Sequence, residues 1–313
     1  MTRALPHQSL QSFEAPASRR TLIRSTLIGA AAIIMWSTLA LLTTMTGRVP
    51  PFLLVAMSFG IAFAVTLARW LMRGDGLVNC LRWPLPAWLL GVGGLFGYHC
   101  FYFIALRSAP PAEASLVNYL WPLLIVLFAT LLPGQRLRWW HLAGALLGLV
   151  GTVLLIGTGG PFGFSPAYAP GYGAAFACAI IWAAYSVLSR LLAHVPTEAV
   201  GAFCGATAVL AAGCHLAFEQ TVWPQGGQWL AVLAMGMGPV GAAFFAWDIG
   251  MKRGDIRTLG AAGYLTPLLS TMLLVAFGRA ELSWTLGVAA LLIAGGAALA
   301  ARELLGGKPQ AAA

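Results

Sequence analysis

The sequence predicts an all-α polytopic membrane protein: ten transmembrane helices arranged as two inverted five-helix repeats around a central cavity. Composition is the first reason. Of the 313 residues, 59% are hydrophobic and only 9% are charged, where a soluble chain carries about 25% charged residues. The apolar runs are the second reason, each about 20 residues, roughly what crosses a bilayer core. The third is a self-similarity at a near-constant shift of 145 residues, which divides the chain in two.

The elements follow in order. Residues 1–22 are polar, irregular and without the apolar core of a signal peptide. They are expected to form a disordered cytoplasmic tail, with Arg19, Arg20 and Arg24 as a basic anchor. Apolar stretches between charged or Pro/Gly-rich breaks then give candidate helices at 23–45, 51–71, 86–106, 111–132 and 139–157, the first repeat (23–157). A linker at 158–169 is expected outside. The second repeat, 170–303, holds helices at 170–192, 198–218, 228–250, 256–277 and 284–302, and 304–313 form a second cytoplasmic tail.

Charge orients this stack. With the N-terminus inside, fifteen of the eighteen Lys and Arg residues fall on the inner side, leaving Arg48, Arg107 and Arg279 outside. Cytoplasmic loops carry such an excess, so both termini are expected in the cytoplasm. The same bias accounts for the net charge of +9. No nucleic-acid partner is expected, because the cations are scattered rather than gathered in one stripe with aromatics. Membrane lipids are the expected surroundings.

The repeat is visible residue by residue. At a shift of 145, Pro122 meets Pro267, Tyr119 meets Tyr264, Tyr102 meets Trp247, Trp139 meets Trp284 and Gly151 meets Gly296. Five helices per unit is an odd number, so the second copy runs opposite to the first. Repeats of that kind place a binding site near the midplane, between the halves. Pro122 and Pro267 fall near the middle of their spans, where proline removes a backbone hydrogen bond. They are read as hinges.

The stretch GYHCFYFIALRSAP, from Gly97, raises the question of content. Tyr98 and Tyr102 are four apart on a helix and His99 borders their face. Imidazole and phenol at mid-depth should face protein or a cavity rather than lipid. Tyr119 and Trp121 beside Pro122, Trp182 and Tyr185, and Trp36 lie at similar depth, as do Phe244 and Trp247. The cavity candidates are therefore Trp36, Tyr98, His99, Tyr102, Asn118, Tyr119, Trp121, Trp182 and Tyr185. Trp83, Trp88, Trp139, Trp140, Trp223, Trp229 and Trp284 lie near span ends and read as interfacial belt residues.

Absences narrow the substrate. A cation antiporter needs a mid-membrane carboxylate, but Glu113, Glu198, Glu219 and Glu281 sit at span ends, and Asp248 lies within a turn of Lys252. A carrier of phosphorylated sugars would need a deep Arg or Lys, and none stands away from a span end. Neutral polar groups among aromatic faces suit a zwitterionic amino acid with an apolar or aromatic side chain. Its ammonium could gain about 0.5–2 kcal/mol over a ring. Its carboxylate could be met by His99, Asn118 or phenolic hydroxyls.

No HExxH, GxSxG or carboxylate pair points to an enzyme. No CxxC or Cys/His spacing points to a metal. Neither metal nor cofactor is expected, and the five cysteines read as small buried hydrophobes apart from Cys80 in a basic loop. GALLG, Gly144 to Gly148, is a small-xxx-small motif. Packing within one chain is its default reading and a monomer the default state, with a dimer contact left open.

Two half-chains of five helices resemble the ten-helix, EamA-type branch of the drug/metabolite transporter superfamily. ELSWTLGVAALLIAGG (Glu281 to Gly296) resembles that family's final-helix signature. NYLWPLL (from Asn118) and GYLTPLL (from Gly263) resemble its proline-bearing fourth and ninth helices. Within it, WSTLALL (from Trp36) and GYHCFYFIAL are similar to the bacterial aromatic amino-acid exporters. Arg136 departs from the pattern where the second repeat carries Glu281, but it lies in a loop. The resemblance implies export of amino acids across the bacterial inner membrane by alternating access. Export of another small neutral or drug-like metabolite is the alternative, and a channel or lipid translocator a more distant one.

Overall fold

A computed structural model of the chain describes residues 18–157 and 163–305. Most of the tail at 1–22, part of the linker at 158–169 and most of the tail at 304–313 lie outside the described residues. Within them the regular structure is helical throughout. Nine stretches are long and apolar enough to cross a bilayer: α1 Arg19–Met45, α2 Pro51–Arg73, α3 Leu85–Ser108, α4 Pro111–Leu131, α5 Trp139–Gly157, α6 Pro166–Leu192, α7 Ala199–Phe218, α8 Gln228–Arg253 and α9 Ile256–Ala276. A tenth apolar helix, α10 Trp284–Ala300, has 17 residues. It lies at the short end of the range that spans a bilayer, roughly 17–25 residues.

Local chemistry sets the ends. Ser18 caps α1 through the Thr21 amide, and Ser283 caps α10 through the Leu286 amide. Pro51, Pro84–Pro86 and Pro110–Pro111 stand at or just before the starts of α2, α3 and α4, where a missing N–H would have had no partner anyway. Gly74, at φ 73°, ends α2 in the left-handed conformation that glycine tolerates.

Packing is pairwise. α5 lies along α10, α2 along α7, α4 along the first part of α9, α1 along the second half of α8, and α3 along α6. Exchanging each helix with the one five places away leaves this pairing unchanged. Between helices surrounded by hydrocarbon, close contact replaces the hydrophobic drive. A Cβ on Gly144 of α5 would lie 2.5 Å from the Gly296 carbonyl oxygen of α10, and one on Gly250 of α8 would lie 2.6 Å from Cα of Gly29 on α1. Both pairs let backbones touch. The GALLG motif thus packs within the chain: Gly144 meets α10 and Gly148 meets the Tyr264 ring.

Besides the break of α1 at Thr38, the helices are interrupted at four further places. α3 and α8 each contain a π-helical turn, Gly93–Gly97 and Gly238–Ala242. The two start 145 residues apart, the shift of the sequence repeat. α4 and α9 break at Tyr119–Leu120 and Gly263–Tyr264 before they resume. This revises the reading of the prolines as mid-helix kinks. Pro122 is the second residue of the resumed segment Trp121–Phe128, and Pro267 the third of Leu265–Ala276. The interruption already lies in place before each proline, so the missing N–H falls in a first turn.

The belt also divides. Trp139, Trp223, Trp229 and Trp284 are exposed, whereas Trp83 and Trp88 pack against the core. Trp140 is buried with the Arg302 guanidinium 3.5 Å from its ring centroid. An arginine over an indole face supplies the polar partner that water supplies elsewhere.

The close approach of α5 and α10 yields a prediction. Gly296→Ile should destabilise the protein by about 1–3 kcal/mol through overpacking. Gly295→Ala, where an added Cβ meets nothing within 4 Å, should leave the melting temperature in detergent unchanged or raise it. Equal melting temperatures for wild type and Gly296→Ile would contradict the contact.

Candidate functional site

One cavity of about 630 Å³ is lined by residues at or close to the four interruptions in α3, α4, α8 and α9: Tyr98, Tyr119, Pro239 and Thr266. Eight of the nine residues singled out from the sequence line it: Trp36 from α1, Tyr98, His99 and Tyr102 from α3, Asn118, Tyr119 and Trp121 from α4, and Trp182 from α6. Phe244 of α8 joins them. Tyr185 does not line the cavity, a correction to its assignment. Its ring rests on Gly94 of the first π turn, where a Cβ would lie 2.5 Å from the ring, and leans on Trp182 with centroids 5.2 Å apart. Three residues along a helix is 300°, so Tyr185 is turned about 60° away from Trp182, enough to leave the cavity.

Aromatic rings build the floor. Trp36 meets Trp182 at 5.4 Å and 79°, Phe244 at 5.9 Å and 63°, and Trp247 at 5.0 Å and 58°. Trp121 meets Trp247 edge-on at 6.1 Å. Edge-to-face pairs at these spacings add about 0.5–1.5 kcal/mol each beyond the area they bury. Trp247 is wholly buried beneath the floor and donates to the Ser186 hydroxyl at 3.0 Å. Tyr98 and Tyr102 stack along α3 with centroids 5.9 Å apart, the i, i+4 spacing read from the sequence.

The π turns are tied to this wall. A π turn shifts hydrogen bonding by one residue, and such turns gather at functional sites. Trp36 Nε1 donates to the Pro239 carbonyl of the second turn at 3.0 Å. His99 Nδ1 lies 2.7 Å from the Leu95 carbonyl oxygen of the first. A carbonyl only accepts, so Nδ1 carries the proton in that bond. These two ring nitrogens thus bond carbonyls of the two π turns.

Sequence reasoning missed the polar lining supplied by hydroxyls. Thr43 and Thr46 from α1 and its end, Ser58 from α2, and Thr266 and Ser270 from α9 all line the cavity. Single Ser and Thr residues in apolar runs carry no signal of their facing. The lining runs from the aromatic floor to Gly47, Pro51 and Arg107, the helix ends of the cation-poor face. Among the described residues no Asp or Glu contributes to it. At that rim the buried Glu219 accepts from the Phe52 and Leu53 amides at 3.0 and 3.2 Å, lies 3.0 Å from His215 Nδ1 and pairs with Arg107 at 3.8 Å.

The opposite, cation-rich end is closed. Asp248 pairs with Lys252 at 2.9 Å, as their spacing suggested, and accepts from the Thr197 hydroxyl at 2.6 Å. Arg190 donates to the Gly254 carbonyl at 2.9 Å, and Arg257 to that of Arg136 at 2.8 Å. These side chains tie α6, α8 and α9 to their neighbouring loops.

Comparison with known proteins agrees with this architecture. The model of the EamA-like transporter family matches residues 24–157 and again 169–302. The chain is 62% identical over 277 residues to the aromatic amino acid exporter YddG of Ancylobacter novellus, covering 88% of this chain and 96% of the relative. It is 30% identical over 302 residues to the exporter of the same name from Escherichia coli strain K12, with the same coverage. A crystal structure of a protein 60% identical in sequence superposes with a TM-score of 0.85 over 90% of this chain and 99% of that one. Both halves match one family model and the relatives are matched almost end to end, so the chain belongs to the EamA-like transporter family.

Proposed function

We propose that this protein exports aromatic and other apolar zwitterionic amino acids across the bacterial inner membrane by alternating access. The observation that carries the proposal is the cavity: about 630 Å³, floored by Trp36, Trp121, Trp182 and Phe244, with no acidic side chain in its lining. The volume lies within the range of small-molecule pockets, roughly 300–1,000 Å³. Flat rings receive flat side chains, and neutral polar groups match a molecule without net charge. The names of the two relatives support the same substrate class. No catalytic role is assigned to any residue.

In this reading the chain crosses the membrane ten times, with the 17-residue α10 as the last crossing. The halves 23–157 and 170–303 are inverted copies, and both termini lie in the cytoplasm. The cavity then faces outward and the ion pairs around Asp248 and Arg190 close the cytoplasmic side. Exchange of conformations between the halves would close the first and open the second. The breaks at Tyr119–Leu120 and Gly263–Tyr264, with Pro122 and Pro267 in the first turn of the segments that follow, are the hinges. At a break no continuous hydrogen-bond ladder resists bending, and proline prevents the ladder from re-forming.

The test of transport uses proteoliposomes and a panel of labelled amino acids, with and without a pH gradient. Saturable uptake of tryptophan and phenylalanine, accelerated by substrate on the far side, is expected. Linear uptake without that acceleration would indicate a channel. Trp182→Ala should weaken apparent affinity by about tenfold through lost ring contact, and Tyr185→Phe should leave it unchanged. Equal effects of the two would reject the assignment of the wall.

Orientation is tested with Ala167→Cys in a variant otherwise free of cysteine. A membrane-impermeant maleimide should label it in intact cells, and labelling only after permeabilisation would overturn the inverted arrangement. For the hinge, Pro122→Ala should slow exchange several-fold while tryptophan still binds. Wild-type rates in both Pro122→Ala and Pro267→Ala would remove the prolines from the mechanism.

A further inference from the structure

We infer that Asn118 reads the ammonium end of the substrate, its amide oxygen accepting from the α-ammonium group; the inference rests on the amino-acid reading of the cavity. Asn118 is the last residue of α4 before its break, is buried, and lines the cavity. Its Nδ2 donates to the Tyr98 hydroxyl at 2.9 Å, while its Oδ1 is buried with no partner among the described residues. An amide oxygen accepts and cannot donate. One N–H of that nitrogen is engaged by Tyr98, and the amide atom left without a partner is the acceptor, which suits an ammonium group rather than a carboxylate. That reverses one role open to it from the sequence, where it could have met the carboxylate end.

The neighbouring ring has the same polarity. With Nδ1–H directed to the Leu95 carbonyl, a neutral His99 presents only a lone pair at Nε2. Two acceptors, Asn118 and His99, therefore flank Tyr98: Asn118 bonds its hydroxyl at 2.9 Å, and the His99 ring lies 5.4 Å from its ring. Two fixed acceptors and an aromatic face form a seat for an ammonium group. No carboxylate in the cavity lining competes with them.

The repeat makes the seat one-sided. At the shift of 145 residues the counterpart of Asn118 is Gly263, and a Cβ there would overlap the Trp121 indole. The first half thus carries a polar reader where the second carries bare backbone covered by a ring. A zwitterion entering the cavity has one seat for its ammonium group, not two related by the repeat.

The test is counterflow of labelled tryptophan in proteoliposomes of the full chain, with tryptophan, tryptamine and indole-3-propionate as unlabelled competitors. Tryptamine keeps the ammonium and lacks the carboxylate; indole-3-propionate is the reverse. In wild type, tryptamine should compete at least about tenfold better than indole-3-propionate. Asn118→Leu should weaken tryptophan and tryptamine by about tenfold and leave indole-3-propionate unchanged. Asn118→Asp, close to isosteric, should improve tryptamine relative to tryptophan, and it tests the inference alone if the leucine variant does not fold. Better competition by indole-3-propionate in wild type, equal loss for all three ligands in Asn118→Leu, or an unchanged ratio in Asn118→Asp would each overturn the ammonium seat. Those results leave tryptophan counterflow in wild type intact. Absence of that counterflow would instead overturn the amino-acid reading, and the seat with it.

Discussion

A peptide group without a hydrogen-bond partner is expensive in hydrocarbon, so a helix that crosses a bilayer can be interrupted only where protein or water meets the exposed backbone. The rest of this structure depends on that constraint. The π turns at Gly93–Gly97 and Gly238–Ala242 and the breaks before Trp121 and Leu265 all turn inward. Around them stand the residues that answer the freed groups. Trp36 reaches across to the Pro239 carbonyl, and His99 turns back to that of Leu95. The cavity is where helices that could not be continuous found partners, and its aromatic lining follows from the size of the groups that provide them.

The two ends of the cavity differ in how they hold together. Toward the cation-poor face, hydroxyls and the Glu219 rim stand apart around open space. Toward the cation-rich face, Trp247 fills the centre, and charged side chains bond to carbonyls of adjoining segments. Separating a buried pair such as Asp248 and Lys252 leaves two charges uncompensated, unless water enters as they part. Such a closure is firm when dry and weak when wet. Close backbone approach between Gly29 and Gly250, with the Leu259 side chain against both, holds α1 to α8 on this side of the Trp36 contacts.

Much of this was legible in the residues. The helix limits read from apolar runs fall within about four residues of those observed, because charge and proline mark where hydrocarbon ends. Eight of the nine candidates read from the sequence line the cavity, seven of them aromatic, since indole, phenol and imidazole at mid-span have few other places to face. Tyr185 failed that reasoning by a turn of about 60°. Depth is a property of sequence position, but facing depends on which neighbour a helix packs against, here Gly94. Ser58 and Thr266 were not identified because a lone hydroxyl can bond to its own helix and sit anywhere.

The sequence by itself determined that the chain lies in a membrane, how its charge is distributed between the two faces, that it consists of two related halves, and that aromatic side chains collect at mid-depth. Each of these follows from local chemistry: transfer of a residue between water and hydrocarbon, or identity at a fixed shift. Only the tertiary structure decided where the helices break, which rings share one wall, and which atom of Asn118 is left without a partner. Those depend on contacts between residues far apart in the chain, as between Trp36 and Pro239 or Gly263 and Trp121. A ring or an amide is the same residue on either side of a helix, and packing alone selects the side.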